Sequence, residues 1–562
     1  MRLQINHASW MLCPVLNLNV PQLASTLVCK YTLNGITWLF LNFRPCLINQ
    51  ENQFCPSSQD LSKINLKKMS VKYKVERKDG VGRYAVASCD LKPGDVILTE
   101  DPFVIGPKST TVPVCLSCFV LIDCSYLCSK CKWPVCSSEC ESSPYHAEEC
   151  KVFSDAKAPF QLPENLLEYA PQYDCITPLR FLLATEKNSK RWDEEIKVME
   201  AHNENRKKTP YWENEQTNIV QFLRDRCRLD RFSEELIHTA CGILEVNCFE
   251  VRSQDGYTGR GLFPQTAIMS HNCIANTCHT IVASQDYKMT VRTNVEVKKG
   301  GELFSTYTHS LYPTMVRREN LLDSKYFQCA CPRCSDPTEL NTHMSSLKCT
   351  KCDNGIILST DPLDAGAEWN CTHCEFKLRG EQVHRIYALI QSEIDAIDAN
   401  GVEGTPERIE AIEKLLKQYK SVLHPKHAYL IILKHSLSQL YGRAEGYSFD
   451  DLPDILLERK IELCQQIMSV FNVIEPGYSR MRGMLLYELH VPMMLYARSR
   501  YEFGEIDDKT LRRKLEEVAH VLEESIAILN LEDPTTPEGT VAQMGQASLD
   551  QLRASIETLP AE

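Results

Sequence analysis

Five Cys-x-x-Cys pairs constrain this chain more than any other feature: Cys115/Cys118, Cys128/Cys131, Cys331/Cys334, Cys349/Cys352 and Cys371/Cys374. Two thiols this close in sequence do not readily close a relaxed disulfide, yet they chelate one tetrahedral ion well. The chain holds 27 cysteines in 562 residues. With no convincing signal peptide, the repeated spacing predicts a reducing compartment and bound zinc rather than a secreted disulfide framework.

The pairs fall into three clusters. The first reads Cys115, Cys118, Cys128, Cys131, Cys136, Cys140, His146 and Cys150, eight donors and thus the complement for two tetrahedral ions, with Cys124 left as a free thiol. So short a segment cannot bury enough apolar surface to fold alone, so the metals must supply the free energy, ~10–16 kcal/mol for each structural zinc in small peptides. The last cluster, Cys349, Cys352, Cys371 and Cys374, has zinc-ribbon spacing. Four thiolates leave no open coordination position, which makes that site structural. The middle cluster offers only Cys329, Cys331 and Cys334, and the best remote fourth ligand is Cys273. About four zinc ions are expected in all.

At this length three to four folded units are expected. A net charge of −12 argues against a broad basic surface for nucleic acid, and no apolar run is long enough to span a membrane. Residues 1–68 show neither strand nor helix period, and an unstructured extension or mispredicted start is expected there. Short strands separated by turns follow from Val71 to Ile105, with turns at Asp79-Gly80-Val81-Gly82 and Lys92-Pro93-Gly94-Asp95 and a strand at Val96-Ile97-Leu98. Residues 160–246 carry helical period, strand-like runs resume over 247–307, and residues 381–558 read as amphipathic helices. Ile409, Ile412, Leu416, Tyr419 and Leu423, and the stretch Leu511–Leu529, are examples. Successive helices with short breaks suggest a degenerate antiparallel array of the tetratricopeptide kind.

Taken in order, these motifs resemble the SMYD family, SET proteins split by a MYND zinc module. The match begins with Gly80-Val81-Gly82-Arg83-Tyr84-Ala85-Val86 and passes through the first cysteine cluster. It continues with Asn247-Cys248-Phe249-Glu250-Val251, Gly261-Leu262-Phe263-Pro264, Ser270-His271-Asn272-Cys273 and Gly301-Glu302-Leu303-Phe304-Ser305-Thr306-Tyr307, and closes on the post-SET cysteines. The extra ribbon resembles the arthropod branch. The resemblance implies an α+β architecture. Its parts are an extension (1–68), an N-terminal SET part (69–110), the MYND module (111–150), a helical insert (151–240), a C-terminal SET part (241–325), a post-SET and ribbon segment (326–380) and a helical domain (381–562). It also implies interleaved zinc ligation, with Cys115, Cys118, Cys136 and Cys140 at one ion and Cys128, Cys131, His146 and Cys150 at the other.

By the same resemblance the chain is a protein-lysine N-methyltransferase using S-adenosylmethionine, acting on a histone or another protein. Tyr307 is the implied catalytic residue. Gly80, Gly82, Asn247, Ser270, His271 and Phe327 are the implied cofactor contacts. The MYND module would take proline-containing peptides, and the protein would reside in cytoplasm or nucleus. Three departures mark the pocket: Ser270 in place of asparagine, Asp79 in place of arginine, and Lys325 where an aromatic residue lines the lysine channel. The alternative to that last departure has Lys325 pointing outward and Tyr326 taking the role. The competing reading is a catalytically weak SET/MYND scaffold that recruits partners, for example in transcriptional repression.

Overall fold

The structure is a computed structural model that describes residues 30–33, 36–39, 71–80, 82–253, 257–400 and 404–560. The chain divides into two units, residues 1–72 and 73–562. In the first unit β1 (Lys30–Leu33) pairs antiparallel with β2 (Ile36–Leu39). The remainder of the expected extension lies outside the described residues.

The second unit opens with a hairpin of β3 (Tyr73–Lys78) and β4 (Gly82–Ala87). Its turn places Gly80 and Gly82 at φ of 77° and 83°, the left-handed region that glycine enters without steric cost. Two three-stranded antiparallel sheets follow. In one, β8 (Thr258–Leu262) lies between β6 (Val104–Pro107) and β7 (Cys248–Arg252); in the other, β11 (Lys288–Thr293) lies between β10 (Thr277–Val282) and β5 (Val96–Glu100). The alternating inward residues of these strands bury Ala85, Ile97, Ile105, Met289, Val291 and Leu303 in one core with Phe263 and Met269.

A parallel pair, β9 (Ser270–His271) with β12 (Phe304–Ser305), ties two distant segments together in register Phe304↔Ser270 and Ser305↔His271. The Leu303 N–H donates to the Ala85 carbonyl, and Ala87 donates to Gly301, so the segment leading into β12 also lies along β4.

The first cysteine cluster and the helical insert share a second core. Trp133 of the cluster stacks on Phe153 at 4.2 Å and donates its indole N–H to Ala158. Around it pack α1 (Pro144–Ala156), α2 (Ile176–Lys187) and α3 (Glu234–Asn247). The insert also holds two π-helical stretches, Trp192–Ile196 and Gln216–Arg226, that helical period alone did not distinguish. Next come α4 (Thr314–Lys325) and a four-stranded antiparallel meander of β13 (Leu347–Lys348), β14 (Ile356–Ser359), β15 (Glu368–Cys371) and β16 (Lys377–Arg379).

Among the described residues seven helices follow: α5 (Gly380–Asn400), α6 (Pro406–Tyr419), α7 (Ala428–Leu440), α8 (Asp454–Ile474), α9 (Arg480–Glu502), α10 (Asp508–Leu529) and α11 (Pro537–Glu557). Leu423, expected on the face of α6, lies beyond its end and bridges instead to Leu347. The array docks on β10 and β11. Tyr478 N–H donates to Asn294, Arg480 donates to the His279 carbonyl, and a Cβ at Gly477 would lie 2.1 Å from the Asn294 carbonyl oxygen. Among the described residues no helix is long and apolar enough to cross a membrane.

Candidate functional site

Four donor sets assemble, and each brings together the residues expected to share an ion. They are Cys115, Cys118, Cys136 and Cys140; Cys128, Cys131, His146 and Cys150; Cys273, Cys329, Cys331 and Cys334; and Cys349, Cys352, Cys371 and Cys374. Within each set the donor atoms lie within 4.8 Å of one another. Zinc–thiolate bonds of ~2.3 Å in a tetrahedron separate the sulfurs by about 3.8 Å. Sulfur pairs here stand at 3.6 Å (Cys118 and Cys136), 3.6 Å (Cys128 and Cys150), 3.5 Å (Cys273 and Cys334) and 3.6 Å (Cys349 and Cys374). That spacing is far too long for a disulfide and suits a shared ion. The soft, closed donor sets fit zinc, and Cys124 stays outside them as expected.

Each set is oriented by different neighbours. His146 presents Nε2 to its cluster, 3.4 Å from Cys131 Sγ, and its Nδ1 meets Glu149 at 3.1 Å. Glu149 in turn accepts from Arg180, which also donates to the Ile105 and Leu116 carbonyls. This buried chain fixes the imidazole tautomer and couples the zinc module to β6.

The set around Cys273 is braced more heavily. Arg317 of α4 donates to Cys273 Sγ at 3.3 Å and to Cys334 Sγ at 3.4 Å. It also meets Glu339 at 2.8 Å, and Arg333 meets the same carboxylate at 2.8 Å. All three charged groups are buried. Burial alone would push the Glu339 carboxyl up, but Arg317 and Arg333 outweigh it and hold it at about 2. A zinc ion on four thiolates carries a net double negative charge, and the guanidinium of Arg317 offsets part of it where water cannot.

Cys273 leads directly to the expected catalytic residues. His271 Nε2 lies 3.3 Å from Cys273 Sγ, while its Nδ1 accepts the Tyr307 backbone N–H at 3.0 Å. The ring is therefore neutral with its proton on Nε2, in keeping with burial that lowers its pKa to about 4. Tyr307 donates its hydroxyl to the Met269 carbonyl, and burial pushes its ionisation well above the ordinary tyrosine value. Around the Tyr307 ring stand His271 at 5.3 Å and Phe327 at 6.4 Å, the latter nearly perpendicular.

Ser270 Oγ is buried without a hydrogen-bond partner. Such a hydroxyl costs free energy unless a ligand or water satisfies it. No atom lies within 4 Å of the place a Cβ would take at Gly80 or Gly82, so this turn leaves space beside its backbone. The orphaned Ser270 hydroxyl and the Phe327 ring, 5.9 Å from His271, are groups whose chemistry fits a cofactor with a flat base and polar edges, as S-adenosylmethionine has. Asn247 donates its amide N–H groups to the Ile243 and Glu200 carbonyls.

Lys325 turns inward rather than outward. Its ammonium donates to the Val246 carbonyl at 2.5 Å and stands 6.0 Å from the Tyr307 ring centroid. Tyr326 adopts a left-handed conformation at the end of α4, bonds Glu245 and packs on His202 at 4.9 Å. Asp79 is exposed. The buried ion groups Arg317, Arg333, Glu339, Arg180 and Glu149 were not singled out from sequence.

No family model matches the chain. Over 303 residues it is 29% identical to the SET domain-containing protein SmydA-8, isoform A, of Drosophila melanogaster, across 52% of this chain and 63% of that protein. It is 23% identical over 430 residues to the histone-lysine N-methyltransferase ASHR1 of Arabidopsis thaliana, across 72% and 83% of the two chains. To human N-lysine methyltransferase SMYD2 it is 28% identical over 278 residues, across 44% and 59%. The match thus spans less than two thirds of SmydA-8 and of SMYD2.

Proposed function

We propose that this chain, a member of the SMYD family of SET proteins, is a protein-lysine N-methyltransferase that uses S-adenosylmethionine. The observation that carries the proposal is the convergence of Tyr307, His271 and Phe327 beside the unpartnered Ser270 hydroxyl. Bound there, S-adenosylmethionine would supply an activated methyl group on its sulfonium. The protein's part is alignment and exclusion of water. Phe327 offers a face for the adenine ring, Ser270 a hydroxyl for a polar edge, and the Gly80–Gly82 turn a close backbone approach.

Tyr307 stays protonated because burial disfavours its phenolate, so it acts as a dipole that orients a neutral acceptor amine, not as a nucleophile. His271 fixes the backbone that carries this tyrosine, and the zinc set at Cys273 fixes His271. The zinc ions are structural in this proposal, one in each donor set. The first zinc module, with Leu121 and Tyr126 exposed, would take proline-containing peptide partners. Its thiolates suit the reducing cytoplasm or nucleus.

Binding of labelled S-adenosylmethionine to the purified chain is the direct test, followed by label transfer to a protein extract. Tyr307→Phe is expected to bind cofactor normally and to lower transfer by about 100-fold or more. No cofactor binding by the unmodified chain would sink the proposal. Binding without transfer to any extract would favour the scaffold reading, which the inward Lys325 ammonium supports.

A further inference from the structure

Lys325, half-buried, closes α4 with its ammonium turned to the backbone at the end of α3. A buried ammonium is ordinarily held by a carboxylate, because an unpaired one is costly. Here the partner is a neutral carbonyl, that of Val246, at 2.5 Å. Glu245 is close in sequence to that carbonyl, but its oxygens bond Arg206 and Tyr326 instead. Among the described residues no carboxylate reaches the Lys325 ammonium. Burial correspondingly lowers its pKa, against the opposing pull of Cys248 and Glu245.

The same ammonium stands 6.0 Å from the Tyr307 ring centroid. His271 and Phe327, the ring's other close aromatic neighbours, carry no charge in this arrangement. The aromatic face next to the proposed reaction centre, an attractive surface for a cation, is thus already engaged by a cation of the chain itself.

We infer that Lys325 sets acceptor specificity by holding a fixed positive charge against the tyrosine that receives the acceptor amine. The inference rests on the methyltransfer reading above and deepens it. A lysine side chain of a protein substrate arrives as an ammonium; seated against the Tyr307 ring, whose centroid already has the Lys325 ammonium 6.0 Å away, it would be disfavoured by on the order of 100-fold at an effective dielectric near 20. The acceptor class that fits is an amine delivered without its proton, such as a lysine whose own surroundings depress its pKa. Ordinary solvent-exposed lysines are rejected.

The test uses the full chain with Lys325→Met, Lys325→Gln and Lys325→Arg. Binding of labelled S-adenosylmethionine is measured first, then label transfer to a mixed protein extract rich in exposed lysines. The two neutral variants are expected to transfer on the order of 10- to 100-fold faster than the unmodified chain, with Lys325→Arg no faster. Neutral variants that bind cofactor but gain nothing, or an arginine variant that gains as much, overturn the inference while leaving methyltransfer intact. If Lys325→Met does not fold, Lys325→Gln gives the same readout with a polar group for the Val246 carbonyl. A methyl group found on Lys325 by mass analysis of the unmodified chain would also overturn it, since the residue would then be an acceptor. Cofactor binding absent from every version removes the underlying reading, and this inference with it.

Discussion

The four-cysteine centres at Cys273 and at Cys349 have the same donors and opposite surroundings. At the Cys273 set a guanidinium donates to two sulfurs, an imidazole meets one of the same two, and a buried Arg–Glu–Arg group lies behind. At the Cys349 set the sulfurs receive backbone N–H groups of Lys351 and His373, and among the described residues no charged side chain donates to them. The first gathers a ligand from 56 residues away; the second closes within a single meander. One donor set can therefore act as a tertiary clasp or as a local staple. The difference lies in what the protein places around the sulfurs.

The contrast is broken most severely by removing a clasp ligand. Cys273→Ala is expected to release that ion, take away one of the two sulfurs to which Arg317 donates and abolish S-adenosylmethionine binding; a structural zinc is worth ~10–16 kcal/mol in small systems, more than a typical domain's whole stability. Metal content together with cofactor binding reads this out, and retained binding would deny the link through His271 to Tyr307.

Next in size is Arg317→Met, which leaves Glu339 with one cationic partner, Arg333, and takes the guanidinium donor from two thiolates. Breaking such a buried group costs about 3–5 kcal/mol, measurable by denaturant unfolding. A loss no larger than that of an exposed arginine would show that the clasp does not depend on charge compensation.

The smallest effect is expected at the staple. Cys371→Ser should lower the zinc content by one ion and loosen β14 and β15, with cofactor binding unchanged. A fall in cofactor affinity would erase the distinction between the centres. Gly355 makes a sharper probe of the same staple, because a Cβ there would lie 2.2 Å from Cys371 Sγ and 2.7 Å from Cys352 Sγ.

These centres also mark how far sequence carries. Spacing identifies every donor of the zinc module and the ribbon, because chelation by near neighbours leaves a pattern along the chain. Cys273 has no local partner; only its place in the motif order made it a candidate. Turn chemistry fixed the Gly80–Gly82 hairpin, and period fixed most of α6 and α10. Leu423 misled because apolar spacing continues past the helix, where the residue pairs with Leu347 instead.

The braces were silent for a physical reason. Arg317 and Glu339 are 22 residues apart, and their burial depends on tertiary packing that no local pattern records. Lys325 was legible as an oddity, but its direction was not, since a side chain at a helix end has both solvent and interior within reach. Asn247 shows the reverse. A residue singled out for ligand contact spends its amide on capping α3 and holding the Glu200 carbonyl.

The reach from Cys273 to Cys329 has a consequence for biosynthesis. On the ribosome, all eight ligands of the zinc module leave the exit tunnel within one short stretch, so that module can be metallated early. Cys273 emerges with an exposed thiol and must wait for Cys329, Cys331 and Cys334. During that interval the parallel pairing of β9 with β12 has no metal to secure it, and α4 has not brought Arg317 to the sulfurs. Nascent chains stalled between these two cysteines should therefore be the form most exposed to thiol oxidation and to chaperone capture.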